Sequence, residues 1–184
     1  MPAFIFPSVY VASGGTPQET GFTAVGTGAS VDTGAAAWSN PTNITADDGS
    51  NATCNVGTGF GGATGDTLRG SNAGFAIPGT ATIDGIEVRV QAGYTVVFGT
   101  SPNISSVNIG KDDSTLATPK TPATALTTTP TNYDYGGAAD LWGLTWTPAE
   151  INATSFQALM VANDAGSGSQ AICDIMWINV HYTD

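Results

Sequence analysis

Ile83, Ile86, Val88 and Val90 are apolar, while Asp84, Glu87, Arg89 and Gln91 stand between them. A two-residue period kept up this long makes a strand with one dry and one wet face, because a helix could not segregate these side chains. The rest of the chain obeys the same constraint. Apolar runs such as "ATCNV", "ISSVNIG" (104–110), "SFQALMVAN" and "AICDIMWINVHYT" alternate with the turn clusters "SNPTN", "DDGSN", "KDDST" and "DAGSGSQ". In the last run, strict alternation puts Ile172, Asp174, Met176, Ile178, Val180 and Tyr182 on one face. Cys173, Ile175, Trp177, Asn179 and His181 fall on the other, and the apolar middle of both faces predicts an interior strand. "GYTVVFG" is either a further strand or the same one bent at Gly93. The one helical signal is "TPAEIN", with Thr147 as N-cap, Pro148 at the first helical position and Glu150 completing a capping box. Without βαβ alternation, these strands predict an all-β fold, an antiparallel β-sandwich that is jelly-roll-like.

A chain of 184 residues suits a single domain. Its first 34 residues differ from the rest: "FIFPSVYVASGG" has strand character, but Pro2 and Pro7 argue for an edge strand or an extended N-terminal arm. We assign residues 1–34 to that arm or edge strand and 35–184 to the sandwich domain. Phe4, Ile5, Phe6, Val9 and Tyr10 are the arm's candidates for partner binding, by apolar contact or strand pairing. Residues 114–132 hold three prolines among many threonines, which suits a surface excursion or sheet edge.

Only 10% of residues are charged, against roughly 25% in average domains. The four basic residues, Arg69, Arg89, Lys111 and Lys120, face 15 acids, for a net charge of −11. Such a surface repels phosphate backbones and anionic membranes, so neither nucleic acid nor membrane is an expected partner. No run approaches the roughly 20 apolar residues of a membrane helix. The opening "MPAFIFPSVYVASGG" lacks the basic start of a signal peptide. Cys54 and Cys173 lack metal-type spacing and read as separately buried thiols rather than a disulfide. Sequons at Asn43, Asn51, Asn103 and Asn152 are what an Asn- and Thr-rich chain produces by chance.

Chemistry is sparse. A catalytic triad would have to use His181, the single histidine, and no G-x-S-x-G occurs. Of the acids Asp47, Asp48, Asp112, Asp113, Asp134, Asp140 and Glu150, the adjacent pairs Asp47/Asp48 and Asp112/Asp113 lie in turns, where neighbouring carboxylates point apart, and solvated turn residues are the reading. "DDGSN" supplies oxygen donors but lacks the EF-hand spacing and its glutamate, so it reads as a turn. "GTGFGGATG" has neither the lysine nor the helix of a phosphate loop. No catalytic residue, metal or cofactor is predicted.

"FAIPGTATIDGIEVRV", "DLWGLTWTPAEINATSFQALMVAN" (140–163) and "AICDIMWINVHYTD" together resemble recurrent segments in structural proteins of tailed bacteriophages and prophages. "WSNPTNITADDGSNAT" fits as the opening strand and turn, so the resemblance covers about residues 36–184. The arm and the 114–132 excursion depart from it. The resemblance implies a non-enzymatic virion protein of the capsid decoration or cement type on the outer capsid surface. Its partners would be the major capsid protein and copies of itself, as a dimer or trimer. The alternative is a receptor- or carbohydrate-binding tail module, in which Tyr133, Tyr135 and Trp142, with Asn132, would stack on sugar rings. By default Trp142 and Trp146, four residues apart, share a strand face and pack in the core.

Overall fold

A computed structural model describes residues 15–31, 33–34, 36–58, 61–96, 100–166 and 168–184. The early strands are β1 (Pro17–Glu19), β2 (Thr23–Ala24), β3 (Thr27–Val31), β4 (Trp38–Ser39), β5 (Ala52–Asn55), β6 (Gly57–Thr58), β7 (Gly61–Gly62) and β8 (Thr67–Ser71). The later ones are β9 (Thr82–Val96), β10 (Asn103–Gly110), β11 (Thr124–Ala125), β12 (Thr131–Gly137), β13 (Gln157–Asn163) and β14 (Ser169–Thr183). A single turn of helix, α1 (Pro148–Ile151), carries the capping box expected at Thr147 and Glu150.

Two antiparallel sheets enclose the core. One runs β12-β9-β14-β5-β4, with β1 and β2 also paired to β14; the other runs β11-β10-β13-β8-β3. From β8 onward the chain crosses repeatedly between the sheets, which gives the jelly-roll-like sandwich. β9 and β14 pair over almost their whole length, and Met176, Ile178 and Val180 lie opposite Val90, Val88 and Ile86. All six are fully buried, facing Ile104, Val107, Ile109 and Met160 of the other sheet. β9 continues through Gly93 as one strand.

β14 is interior, as its two apolar faces predict. Its second edge is covered in succession by β5, Thr45, β2 and β1. The alternation itself breaks, however. Asp174 is an extra residue between Cys173, opposite Ala92, and Ile175, opposite Gln91. This bulge reverses the parity, so Cys173 lies on the same face as Met176 and Ile172 on the opposite one. Cys54 and Cys173 are both buried and free. They face Ala171 and Ala52 as a diagonal pair on β5 and β14, and such diagonals of about 7–8 Å exceed the reach of a disulfide.

Within the segment assigned to the arm, the described part is strand: β1 and β2 pair with β14, and β3 forms the free edge of the five-stranded sheet. Phe4, Ile5, Phe6, Val9 and Tyr10 lie outside the described residues. The proline-rich excursion follows the opposite edge, where Lys120 bridges Val107 and β11 pairs with β10.

Candidate ligand groove

The outer face of the five-stranded sheet is hollowed where the turn after β10 folds back over it. Asp112 shapes that turn. Its Oδ1 accepts from the Ser114 hydroxyl at 2.7 Å and from the N–H groups of Ser114 and Thr115 at 2.8 and 2.7 Å. These bonds, the Ser114 hydroxyl first, hold its carboxyl below the usual range. Asp113 then reaches across to β8, where its Oδ1 accepts from Arg69 Nη1 at 2.6 Å. That bond is the main cause of the lowered pKa of Asp113.

Below the pair lie the outward-facing residues of β3, β8 and β13, which share a face because Arg69 is opposite both Ala29 and Leu159, and Ser71 is opposite Gln157. Two adjoining hollows of about 190 and 230 Å³ run along them and share Asp113 and Gln157. Arg69, Ser71, Asp112 and Ser155 give the first polar walls. Val31, Leu116 and Leu159 give the second an apolar lining. Leu116 is 46% exposed, the one large hydrophobic side chain so exposed among the described residues. Gln157 is 2% exposed, and its Nε2 has no hydrogen-bond partner although it stands close enough to help lower Asp113.

The outer face of the seven-stranded sheet is polar as well. Asn179 Nδ2 donates to Glu19 Oε2 at 3.0 Å and Glu87 Oε2 at 3.1 Å, and His181 Nε2 lies 3.1 Å from Glu87 Oε2. His181 is half-buried on β14, flanked by Glu19 of β1 and Gly85 of β9. Beside this cluster, Arg89 holds Asp134 through two bonds of 2.6 and 2.9 Å, and the Phe22 ring covers its guanidinium at 3.9 Å.

The aromatic residues predicted to stack on sugars do not assemble into a platform. Trp142 is 1% and Tyr135 8% exposed. Tyr133 and Tyr135 lie opposite Val90 and Val88, on the core side of β12. Trp142 and Trp146 lie in the connection before α1, not on a strand. Of this set, Tyr133 is half-buried and Asn132 exposed. At the end of β12, where Gly137 lies opposite Ile86, Asp140 O accepts from Ile86 N at 3.0 Å and Trp142 Nε1 donates to Ile86 O at 2.9 Å. The segment "DLW" thus completes the hydrogen bonding that β12 leaves open. Gly136 must be glycine there: its φ is 85°, and a methyl group would collide with Ile86 O and the Trp142 indole.

The groove residues carry little signal in the sequence. Arg69 and Asp113 are 44 positions apart, on what read as a short strand and an ordinary turn. Their scarcity is the available clue, since a chain with four cations places each one where it holds something.

No protein-family model and no curated protein matches the chain. Among solved structures it is similar to one described as "CBM4 structure and function", at 14% identity over 86% of this chain and 93% of the other, with a TM-score of 0.39. It is also similar to the second N-terminal cellulose-binding domain of a Cellulomonas fimi β-1,4-glucanase C, at 13% identity over 89% and 93%, with a TM-score of 0.36. At these values the likeness adds nothing to the sandwich read directly from the strand pairing.

Proposed function

We propose that the chain is a non-catalytic binding module whose groove takes a neutral polysaccharide chain, laid across β3, β8 and β13. The observation that carries this is the pairing of an apolar floor with hydrogen-bonding walls. Sugar rings present apolar C–H faces and a rim of hydroxyls, which such a lining matches. Each hollow is smaller than the roughly 300 Å³ of pockets that enclose a drug-sized ligand, and that favours an extended chain resting in an open groove. A net charge of −11 disfavours acidic polysaccharides.

Affinity electrophoresis through gels containing soluble neutral glucans, xylans or a polyuronate tests the reading. At least one neutral polymer retards the protein, the polyuronate does not, and Arg69→Ala or Leu116→Ala reduces retardation without changing the melting temperature by more than a few degrees. The capsid-decoration reading makes the opposite forecast: no polysaccharide retards the protein, and it binds empty capsid shells and raises their disruption temperature.

A further inference from the structure

We propose that the polysaccharide taken by this groove is N-acetylated, with an acetamido group seated in the apolar hollow and its N–H bonded to Asp113. The inference rests on the polysaccharide reading above and names the class of sugar. Val31, Leu116 and Leu159 make the apolar lining aliphatic, and among the described residues no aromatic ring lines either hollow. The flat C–H face of an unsubstituted pyranose makes its dispersion contacts against another flat surface, whereas branched aliphatic side chains close around a methyl group. The hydroxyls at this end are already in use. Thr33 Oγ1 accepts from Thr67 N at 3.0 Å and lies 2.8 Å from Thr67 Oγ1, so the two threonines satisfy each other rather than a sugar hydroxyl.

Asp113 and Gln157 border both hollows. Of the two, Asp113 is open to water, with 73% of its side chain exposed, while Gln157 is buried. Asp113 Oδ1 accepts from Arg69 Nη1 at 2.6 Å, and that bond, first among the causes, holds the carboxyl below the usual range, so it is ionised at neutral pH. Its lone pairs take up a further donor. The apolar hollow therefore asks for a methyl group beside an N–H. An acetamido group supplies both, separated by one carbonyl carbon, and that carbonyl finds donors on Arg69, which spends Nη1 on Asp113 and lines the adjoining hollow. An O-acetyl ester has the methyl but no N–H. A sugar carboxylate meets both Asp113 and the net charge of −11 as repulsion.

Affinity electrophoresis through fully N-acetylated glycol chitin and through hydroxyethyl cellulose tests this. Both are neutral, soluble β-1,4 chains with the same solubilising group, and the acetamido group is what distinguishes them. Glycol chitin is expected to retard the protein at roughly tenfold lower concentration, the selectivity of one buried methyl and one hydrogen bond to a charged acceptor. Leu116→Ala, at a side chain already exposed, and Asp113→Ala, in an exposed turn, each reduce that ratio several-fold, with thermal melts confirming that the variants are folded. Retardation by hydroxyethyl cellulose or another neutral glucan or xylan that matches glycol chitin, or a ratio unchanged in either variant, would overturn the acetamido assignment and leave the polysaccharide reading standing. No retardation by any neutral polymer would overturn both.

Discussion

Replacing Trp142 by phenylalanine separates a core residue from a sugar-stacking one. The indole is 1% exposed and its Nε1–H is the donor to Ile86 O, at the end of β12. Phenylalanine keeps most of the apolar surface and removes the donor. An orphaned buried carbonyl costs about 1–3 kcal/mol, and the space left by the smaller ring costs about 1 more. The sum is about 2–4 kcal/mol. At ~2–4 °C per kcal/mol for a chain of this size, Tm falls by about 4–16 °C. The backbone amplifies the effect, because Trp142 holds a φ of 56° and its own N–H is fixed by Asp140 Oδ1 at 2.8 Å. Once the indole bond is gone, little compensates for that left-handed conformation, which disfavours side chains with a Cβ. Differential scanning calorimetry gives the stability change and affinity electrophoresis gives the binding. A variant that melts within about a degree of the parent yet no longer binds polysaccharide would refute the assignment of Trp142 to the core.

Four further outcomes are expected. Asn152→Ala removes a carboxamide that accepts from Ile77 N and donates to Ile77 O, both at 2.9 Å; two buried groups lose partners, and chemical denaturation should register a loss of about 2–4 kcal/mol. A thiol reagent at neutral pH should label neither cysteine until the protein opens, since both are buried, burial pushing the Cys54 thiol up to about 11 and that of Cys173 higher still; rapid labelling of the folded protein would count against this packing. Glu150, chiefly through Lys111, is held below its ordinary carboxyl value, as is Asp140, where burial pulls upward but Lys120 and the Trp142 N–H outweigh it. Their contribution is therefore complete above the ordinary carboxylate range and lost as pH falls through the lowered values; Lys111→Met and Lys120→Met should flatten the acid limb of a stability–pH curve. Asp174 has the opposite sign: burial, with Asp47 and Asp48, raises its carboxyl, so Asp174→Asn should match or exceed the parent's stability at neutral pH and lose that advantage on acidification.

Much of the fold was legible because period-two alternation reports burial directly. The strand at 82–92, the interior position of β14 and the capping box at Thr147 all follow from local chemistry that the tertiary structure leaves intact. Alternation failed at Asp174, where one inserted residue reversed the faces of Ile172 and Cys173. Nothing local marks a bulge, because it is set by the neighbouring strand and the loop that must cross it. The aromatic platform failed for a related reason. Trp142 and Trp146 are core residues, as the default reading had them, but in a connection rather than on a strand face: the end of β12 leaves Ile86 with open backbone groups, and Trp142 is drawn inward to satisfy them. The groove was invisible because its walls come from β8, the turn after β10 and β13, which only the register of the sheet brings together.

The same scarcity of cations ties these features together. Each of the four ion pairs fixes a segment rather than strengthening the core: the turn over the groove to β8, β12 to β9, α1 to the end of β10, and the excursion at Lys120 to the "DLW" segment. With side chains partly open to water, such pairs contribute about 0–1 kcal/mol each, too little to explain why a chain so poor in charge keeps them. Position is the better account. Arg69 holds Asp113 above the groove, and Lys120 lies 5.0 Å over the Trp142 ring while binding Asp140, whose other oxygen orders the Trp142 backbone. The carboxylates left over are then informative. Asp47, Asp48 and Asp174 gather at one loop while the four basic residues are bonded to other carboxylates, and burial together with that crowding raises the Asp174 carboxyl, so this cluster, unlike the four ion pairs, opposes folding at neutral pH.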